Sequence, residues 1–548
     1  MNFQTYSEEP PNGGRCFGVR EFLDLKTARL AGFSWEGMDL DDVFFAMIPP
    51  RLLFVLLFPL ALAAQPVTTS TIKAGFAERD ITPDIGMEQP GGYGKSYHLK
   101  FHDACKVRVA VFDDGKKRVA LVGLDTLVVP RKVVLDARAR IEKELHISGD
   151  SVMIGASHSH SSGPVGMVMP GEFDGASDLV KKLAYEESSC ADPGFLLRVT
   201  SEIVEGVRAA LQTSVPAQIG YGFGHEDKVA FNRRLRMKNG QSWSHPGSGN
   251  PDIIEYAGPI DPQVGVIGAW DMEGRLLGVM VNYACHATAS PGGISANWIY
   301  YLEKTIQGAL DTRAPVVFMQ GACGDVTQVD NLSPNRRPEA VAWSQLVGGR
   351  IGAEAVRVLL AMPKTTDATL DVRQKVLVIP RRKPSPARVQ KSLEIATAGK
   401  PKGDTTDYLF AKEILMLDHL CQTSPQVDAE VQVIQVGAAA FVSNPAEYFC
   451  QFGLDIKKGS PFAFTFPVEL ANGIVGYVPT EEAFGPNGGG YETRLTAYSN
   501  LVITAGRQMA DAGITLAKAM KPDAVPQAPK APPFAKPWTY GSVPPELE

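Results

Sequence analysis

Short apolar runs alternate with amphipathic stretches along this chain, a pattern that predicts strands and helices in turn. Residues 107–112 and 118–124 are apolar and flank an Asp-Asp-Gly turn, which predicts a hairpin. Residues 131–146 carry apolar side chains at helical spacing, and the apolar run 152–156 follows as a strand. A second hairpin is predicted for residues 264–270 and 276–282. The order of these elements indicates an α/β fold.

Several of the predicted strands end in side chains that can do chemistry. These strand ends are 152–156 before His158 and His160, 276–282 before His286, 315–319 before Asp325, and 438–443, paired with 430–436, before Glu447. Ligands of α/β sheets bind at the carboxyl ends of strands. We therefore predict mixed β-sheets flanked by helices in one large catalytic domain, with the active site at the carboxyl ends of several strands.

Length and composition set the domain organisation. The chain has 548 residues, of which 44% are hydrophobic and 21% charged, so it can bury a large core. We assign residues 70–520 to the catalytic domain, with residues 381–421 as a mostly helical insertion and 521–548 as a proline-rich tail. The net charge of −6, without a long basic run, argues against nucleic acid and favours small molecules or lipid as partners. No protein partner is inferred.

The amino-terminal region predicts export. Residues 47–65 have a positive start, a short apolar core and small residues at the end, as in a secretory signal peptide. Residues 1–46 are then an extension upstream of the true start. An uncleaved anchor or a buried helix is the alternative. Removal of the leader leaves six cysteines, which permits disulfides, although their spacing fixes no pairing and matches no zinc ribbon.

The paired histidines His158 and His160 are the strongest local signal. Side chains two residues apart in extended backbone point to the same face, so the two imidazoles are placed to share one metal or one substrate. The alternative is two surface histidines satisfied within a serine-rich turn.

His158, His286 and Glu447 together would suit a catalytic zinc, which takes three or four N or O ligands from distant parts of a chain. His160 would then be free to carry a proton. Each residue alone has a plainer reading. His286 would be a core histidine bonded to backbone, and Glu447 a carboxylate at the start of a helix.

Ordered motifs between residues 73 and 520 resemble those of the neutral ceramidases, zinc amidases that cleave the N-acyl bond of ceramide. The matching segments are AGFAERDITP at 74–83, GGYG at 91–94, SHSHSSGP at 157–164, NRR at 232–234, NYACHAT at 282–288, GDVT at 324–327, PAE at 445–447, GYVPT at 476–480 after Asn472, and YE at 491–492. Their unchanged order is more specific than any one of them.

The resemblance implies a site. Its zinc (Zn2+) ligands are His158, His286, Glu447 and Tyr477, and His160, Arg233 and Tyr491 surround the scissile amide of an N-acylated, ceramide-like lipid. Without the resemblance, Tyr477 would be a core aromatic and Arg233 a solvated arginine.

Metal-activated water would attack the carbonyl, and His160 would move the proton that the leaving amine needs. Arg233 and Tyr491 would hold the oxyanion. Asp325 and Asp125 are candidate supports behind the ligands, although Asp325 can equally cap its own turn.

Two departures from the family weaken the assignment of substrate more than that of reaction. The family's carboxyl-terminal β-sandwich domain has no counterpart before the proline-rich tail, and Thr327 stands where the family has serine. The leading hypothesis is an exported zinc-dependent amidohydrolase that makes peripheral contact with lipid surfaces. The alternatives are an amidase or esterase for a different acyl compound, and a non-catalytic, zinc-stabilised extracellular binding module.

Overall fold

The computed structural model describes residues 71–548, so the predicted leader at 47–65 and the extension 1–46 lie outside the described residues. The strands of the described part are β1 Lys73–Asp80, β2 Lys106–Asp113, β3 Arg118–Leu124, β4 Val152–Ala156, β5 Val215–His225, β6 Phe231–Asn232, β7 Arg234–Met237, β8 Ser242–Ser244, β9 Ile253–Tyr256, β10 Gln263–Asp271, β11 Leu276–Tyr283, β12 Val316–Gln320, β13 Val326–Thr327, β14 Lys364–Thr365, β15 Leu370–Pro380, β16 Gln426–Val436, β17 Ala439–Ser443, β18 Glu447–Tyr448, β19 Phe464–Val468 and β20 Tyr477–Val478. The α-helices are α1 Arg131–Leu145, α2 Asp178–Tyr185, α3 Pro193–Gln212, α4 Trp298–Ala309, α5 Ala340–Ala361, α6 Pro386–Ala398, α7 Thr406–Thr423, α8 Cys450–Gly459 and α9 Ala505–Lys518.

A nine-stranded mixed sheet forms the centre of the fold. Its order is β12-β11-β10-β5-β1-β2-β3-β4, with β14 beside β5. The β2–β3 and β10–β11 pairs are antiparallel, which confirms both predicted hairpins. The β3–β4 and β11–β12 pairs are parallel. The sheet is therefore mixed, as predicted.

Strand β12 packs against β3, although the two are far apart in the strand order of the sheet. A Cβ atom on Gly123 of β3 would stand 2.4 Å from the carbonyl oxygen of Phe318 in β12, so this close approach needs glycine. Side chains from both ends of the sheet, including Leu121, Met153 and Met319, share one buried cluster. Because the two ends of the sheet pack against each other in this way, the segments that follow β4, β11 and β12 can meet.

A second sheet, in the order β15-β16-β17-β19, brings the strand that leads to Glu447. Asn472 ties this sheet to β4. Its side-chain oxygen accepts from the Ile154 backbone N–H at 3.0 Å, and its amide group donates to Glu430 at 3.1 Å and to Gln432 at 2.8 Å. Asn472 has φ of 61°, a left-handed conformation that asparagine tolerates better than most residues. This buried junction fixes the Glu447 strand relative to the histidine strand.

The structure also bears out the predicted helical insertion. Helices α6 and α7 fill the predicted helical insertion at 381–421, and residues 521–548 contain neither helix nor strand. The six cysteines within residues 71–548 are all free thiols, so the disulfides that the sequence permitted are not formed there. No helix of the described part is both long and apolar enough to cross a membrane. The mixed α/β fold class is confirmed.

Candidate metal centre

Two imidazoles and one carboxylate converge where the chain leaves β4, β11 and β17. The Nε2 atoms of His158 and His286 each lie 3.3 Å from Oε2 of Glu447, and all three side chains are buried. Backbone contacts hold the three segments together, because Ser159 bridges to Ala287 and the His286 N–H donates to the Val326 carbonyl. The predicted convergence of His158, His286 and Glu447 is therefore present.

Backbone carbonyls fix which nitrogen of each histidine faces this point. Nδ1 of His158 donates to the Leu127 carbonyl at 2.9 Å, and Nδ1 of His286 donates to that of Cys323 at 2.8 Å. A neutral imidazole that donates through Nδ1 carries its lone pair on Nε2. Both lone pairs therefore point at Glu447, the arrangement that metal-ligating histidines adopt.

The two oxygens of Glu447 have different surroundings. Oε1 accepts a hydrogen bond of 2.6 Å from the hydroxyl of Tyr498, whereas Oε2 is buried and accepts no hydrogen bond from any described residue. A buried carboxylate oxygen without a donor is costly unless a cation satisfies it. Two imidazole Nε2 atoms whose lone pairs face one orphaned carboxylate oxygen are the N and O ligands that zinc takes, so the residues present fit a divalent metal.

The pKa values of the three residues follow from their mutual contacts. Burial opposes the charge on Glu447, but His158 and His286 outweigh it and hold the pKa of the carboxyl well below its usual range. Burial and the adjacent positive charge of Arg233 lower the pKa of His286 to about 3, which keeps its Nε2 lone pair free at neutral pH. Burial also disfavours charge on His158, but the Glu447 carboxylate raises its pKa above the ordinary value.

His160 lies beside the other two imidazoles. Its Nε2 is 3.2 Å from Nε2 of His158, and one ligand nitrogen from each of the three histidines lies within 4.8 Å of the others. All three imidazoles are therefore within reach of one cation, and the assignment of His160 to proton transfer stays a prediction.

The GGYG motif at 91–94 makes room for the ring of His160. A Cβ on Gly91 would stand 2.3 Å from Nδ1 of His160, and Gly91 has φ of 106°, so a side chain there would both clash and strain the backbone. Gln89 adds a hydrogen bond of 2.9 Å to the His160 carbonyl. The GGYG motif at 91–94 thus serves the site by accommodating this imidazole.

Arg233 forms one wall of the site. Its guanidinium donates to Glu492 through Nε at 2.7 Å, to the Gly324 carbonyl through Nη2 at 2.7 Å, and to Nε2 of His286 through Nη1 at 3.2 Å. Arg233 and Glu492 are both buried. The fixed guanidinium therefore aims one N–H at the space that the histidines enclose.

The tyrosines stand next to Arg233. The short strands β18 and β20 pair in parallel with Glu447 opposite Tyr477, and the Tyr477 hydroxyl lies 3.0 Å from that of Tyr491. The Arg233 guanidinium carbon is 5.4 Å from the centre of the Tyr477 ring and 4.9 Å from that of Tyr491. All seven predicted site residues thus belong to one connected group. The role of Tyr477 as a ligand stays a prediction, because the phenol bonded to Glu447 is that of Tyr498.

The two aspartates proposed as supports have separate roles. Asp325 accepts from Asn232 at 2.8 Å and from the Cys450 N–H at 2.8 Å, while its backbone carbonyl accepts from Arg233 N–H at 2.8 Å. It thus anchors the Arg233 segment. Asp125 is instead buried against Arg108, and no contact joins it to a ligand among the described residues, so its proposed support of the ligands is wrong.

Three residues at or beside the site were given no role from the sequence: Tyr498, Glu492 and Glu469. Glu469 is fully buried, and its Oε2 accepts from the backbone N–H groups of Cys323 and Tyr448 at 3.0 and 2.8 Å. Burial raises the pKa of its carboxyl to about 8. Glu492 directly follows the predicted Tyr491 and offered a sequence signal, whereas neither Tyr498 nor Glu469 stands in a motif that singles it out.

The fold and the site thus define a mixed α/β protein with a buried centre of histidines and one carboxylate, flanked by arginine and tyrosine. Among characterised proteins, the neutral ceramidase of Pseudomonas aeruginosa is 26% identical over 273 residues, which are 48% of this chain and 37% of that protein. The matched region therefore spans little more than a third of the relative's length. No family model matches the chain.

Solved structures agree with this sequence likeness. The crystal structure of neutral ceramidase from Pseudomonas aeruginosa superposes with a TM-score of 0.60 at 18% identity, covering 84% of this chain and 76% of that one. A ceramidase complexed with C2 gives a TM-score of 0.58 at 18% identity, covering 84% and 77%. The chain has the fold of these ceramidases, and the resemblance drawn from its motifs is confirmed.

Proposed function

We propose that this protein is an exported zinc-dependent amidohydrolase that cleaves the N-acyl bond of ceramide or a related N-acylated lipid. The observation that carries the proposal is the meeting of the Nε2 atoms of His158 and His286 with the orphaned Oε2 of Glu447, at 3.3 Å each. The likeness to neutral ceramidases, one of them solved as a complex with C2, supports the substrate class.

His158, His286 and Glu447 would hold the metal, and Tyr477, which pairs with Glu447 across β18 and β20, is the proposed fourth ligand. The chemistry that bound zinc supplies is activation of water near neutral pH and polarisation of the amide carbonyl. Tyr498 holds Oε1 of Glu447 and leaves Oε2 directed at the histidines. The protein's own contribution is thus a set of buried ligands that are held in fixed positions.

Arg233 and Tyr491 are placed to stabilise negative charge on the carbonyl oxygen. The guanidinium is held from Glu492 and Gly324, so its remaining Nη1–H needs no reorganisation as charge develops. Preorganised donors of this kind contribute strongly to acyl transfer inside buried sites. Hydrolysis by metal-activated water needs no serine hydroxyl as the nucleophile. This agrees with Thr327, which stands where the family has serine.

His160 is the proposed proton carrier, because an amide leaves only once its nitrogen is protonated. We expect His160→Ala to retain the metal and to lose about 100-fold in kcat, the scale of general acid–base catalysis. Bound zinc measured by elemental analysis, together with kcat on a short-chain ceramide, checks this. Loss of metal from the variant would instead make His160 a ligand, which its 3.2 Å approach to His158 allows.

Export is proposed from residues 47–65, which lie outside the described residues. Mass spectrometry of the protein recovered separately from membranes, periplasm and medium would locate its mature amino terminus. We expect that terminus to follow residue 65 in the exported protein.

The reaction itself is tested with purified protein and a panel of acyl compounds, each assayed with and without chelator. We expect fatty acid release from ceramide, complete loss after chelation and recovery on addition of zinc. Preferential hydrolysis of another amide or of an ester would show that the proposed substrate class is wrong and would identify the class that replaces it. Firmly retained metal without hydrolysis of any member of the panel would favour the binding module.

A further inference from the structure

Three large apolar side chains lie exposed in a row on the segment that precedes β2. Tyr97, Leu99 and Phe101 are 53%, 83% and 59% exposed, whereas His98 between the first two is buried. Alternate residues of extended backbone point to opposite faces. Tyr97, Leu99 and Phe101, here called the apolar stripe, therefore form the outer face of this segment.

The inner face of the same segment holds the histidine turn. Nε2 of His98 donates to the carbonyl of Ser162 at 2.7 Å. The segment also pairs with the strand-like stretch before it, since Glu88 bridges to Tyr97 and Gln89 N–H donates to the Ser96 carbonyl. Gln89 in turn donates to the His160 carbonyl. The apolar stripe thus covers the outside of a small hairpin whose inside contacts the candidate metal centre.

We propose that the apolar stripe inserts into a lipid surface and docks the candidate metal centre against it. This inference rests on the proposed function, because the lipid surface would be the source from which the enzyme draws a substrate with two hydrocarbon chains. Monomeric soluble proteins rarely expose contiguous large apolar side chains without an interaction to explain them.

The composition of the stripe favours lipid over a protein partner. Tyr97 carries a polar hydroxyl on an apolar ring, a combination enriched at membrane interfaces, while Leu99 and Phe101 are purely apolar. Together they make a shallow apolar insertion element with a polar hydroxyl at one end.

The test compares the full chain with the double variant Leu99→Asp/Phe101→Asp. The matched control is Leu197→Asp/Leu360→Asp, which changes two exposed leucines on α3 and α5. Binding is measured by co-sedimentation with phosphatidylcholine vesicles, with and without 20 mol% phosphatidylglycerol, in the absence of ceramide. Hydrolysis is measured separately on dissolved short-chain ceramide and on long-chain ceramide within the vesicles.

We expect the stripe variant to lose at least about tenfold in vesicle partitioning, since burial of each such side chain is strongly favourable and burial of aspartate is not. Its hydrolysis of vesicle ceramide should fall in parallel, whereas kcat/KM on the dissolved substrate stays within twofold. The control variant should bind as the unmodified chain does.

Equal partitioning of the stripe variant and the unmodified chain would overturn the proposal, and so would the absence of vesicle binding by both. Sedimentation velocity showing that the stripe holds two copies together, with no effect on vesicles, would also overturn it. Vesicle binding that depends on the stripe, without hydrolysis of any ceramide, would support the docking surface and refute the proposed function alone.

Discussion

Replacement of His158 by alanine is expected to remove metal and activity together. His158 supplies one of the two Nε2 atoms that face Glu447, and its Nδ1 bond to the Leu127 carbonyl fixes the ring in place. The Lewis acidity of a catalytic metal is worth several kcal/mol. Because each ~1.4 kcal/mol added to the activation free energy lowers the rate tenfold, we expect hydrolysis to fall by about 10³-fold or more.

Elemental analysis and fatty acid release from ceramide check both parts of this expectation, with circular dichroism to confirm that the variant is folded. His225→Ala is the matched control, because His225 is exposed and its ring pairs with Asp227 at the surface. Retention of stoichiometric zinc by His158→Ala would contradict the proposed ligand set. Full activity of a metal-free variant would contradict the mechanism as well.

Replacement of Arg233 by lysine is expected to lower kcat by about 10²- to 10³-fold, the usual cost of losing one preorganised oxyanion donor. Lysine retains the positive charge that buried Glu492 requires, but it cannot bond Glu492, Gly324 and the reacting oxygen at the same time. The fold and the metal should therefore survive, and KM should change less than kcat. This separation distinguishes loss of transition-state stabilisation from loss of binding.

Arg236→Lys serves as the control for this substitution. Arg236 lies in β7, three residues along the chain, and its guanidinium pairs with Glu255 and Glu482 near the surface. We expect its kinetics to match the unmodified protein. A fall in kcat/KM for Arg233→Lys that comes entirely from KM would assign Arg233 to substrate binding and remove it from the oxyanion wall.

Local pattern was sufficient for the individual elements of the fold. Apolar runs and turn residues correctly predicted β4 and both hairpins, helical spacing predicted α1, and the helical insertion also lay where expected, because each depends on side chains close together in sequence. The turn with Asp325 also lay where predicted, but its two possible roles were separated only by its contacts with Asn232 and Cys450.

Contacts between distant segments were beyond the reach of such patterns. Strands β18 and β20 contain two residues each, too short for any periodicity, yet their pairing sets Tyr477 opposite Glu447. The hydrogen bond from Tyr498 to Glu447 likewise joins a loop residue to β18 across 51 positions of the chain. Asp125 was misplaced for the same reason, since a strand end shows where a side chain starts but not which partner it meets.

By itself, the sequence determined the order of strands and helices and the side chains that each strand end delivers, because these follow from neighbouring residues. Tertiary structure alone decided that β12 packs against β3, that the two Nε2 atoms face one orphaned carboxylate oxygen, and that the apolar stripe lies outside the histidine turn. Such contacts depend on how sheets close and how loops bury their polar groups, which are properties of the whole packed chain.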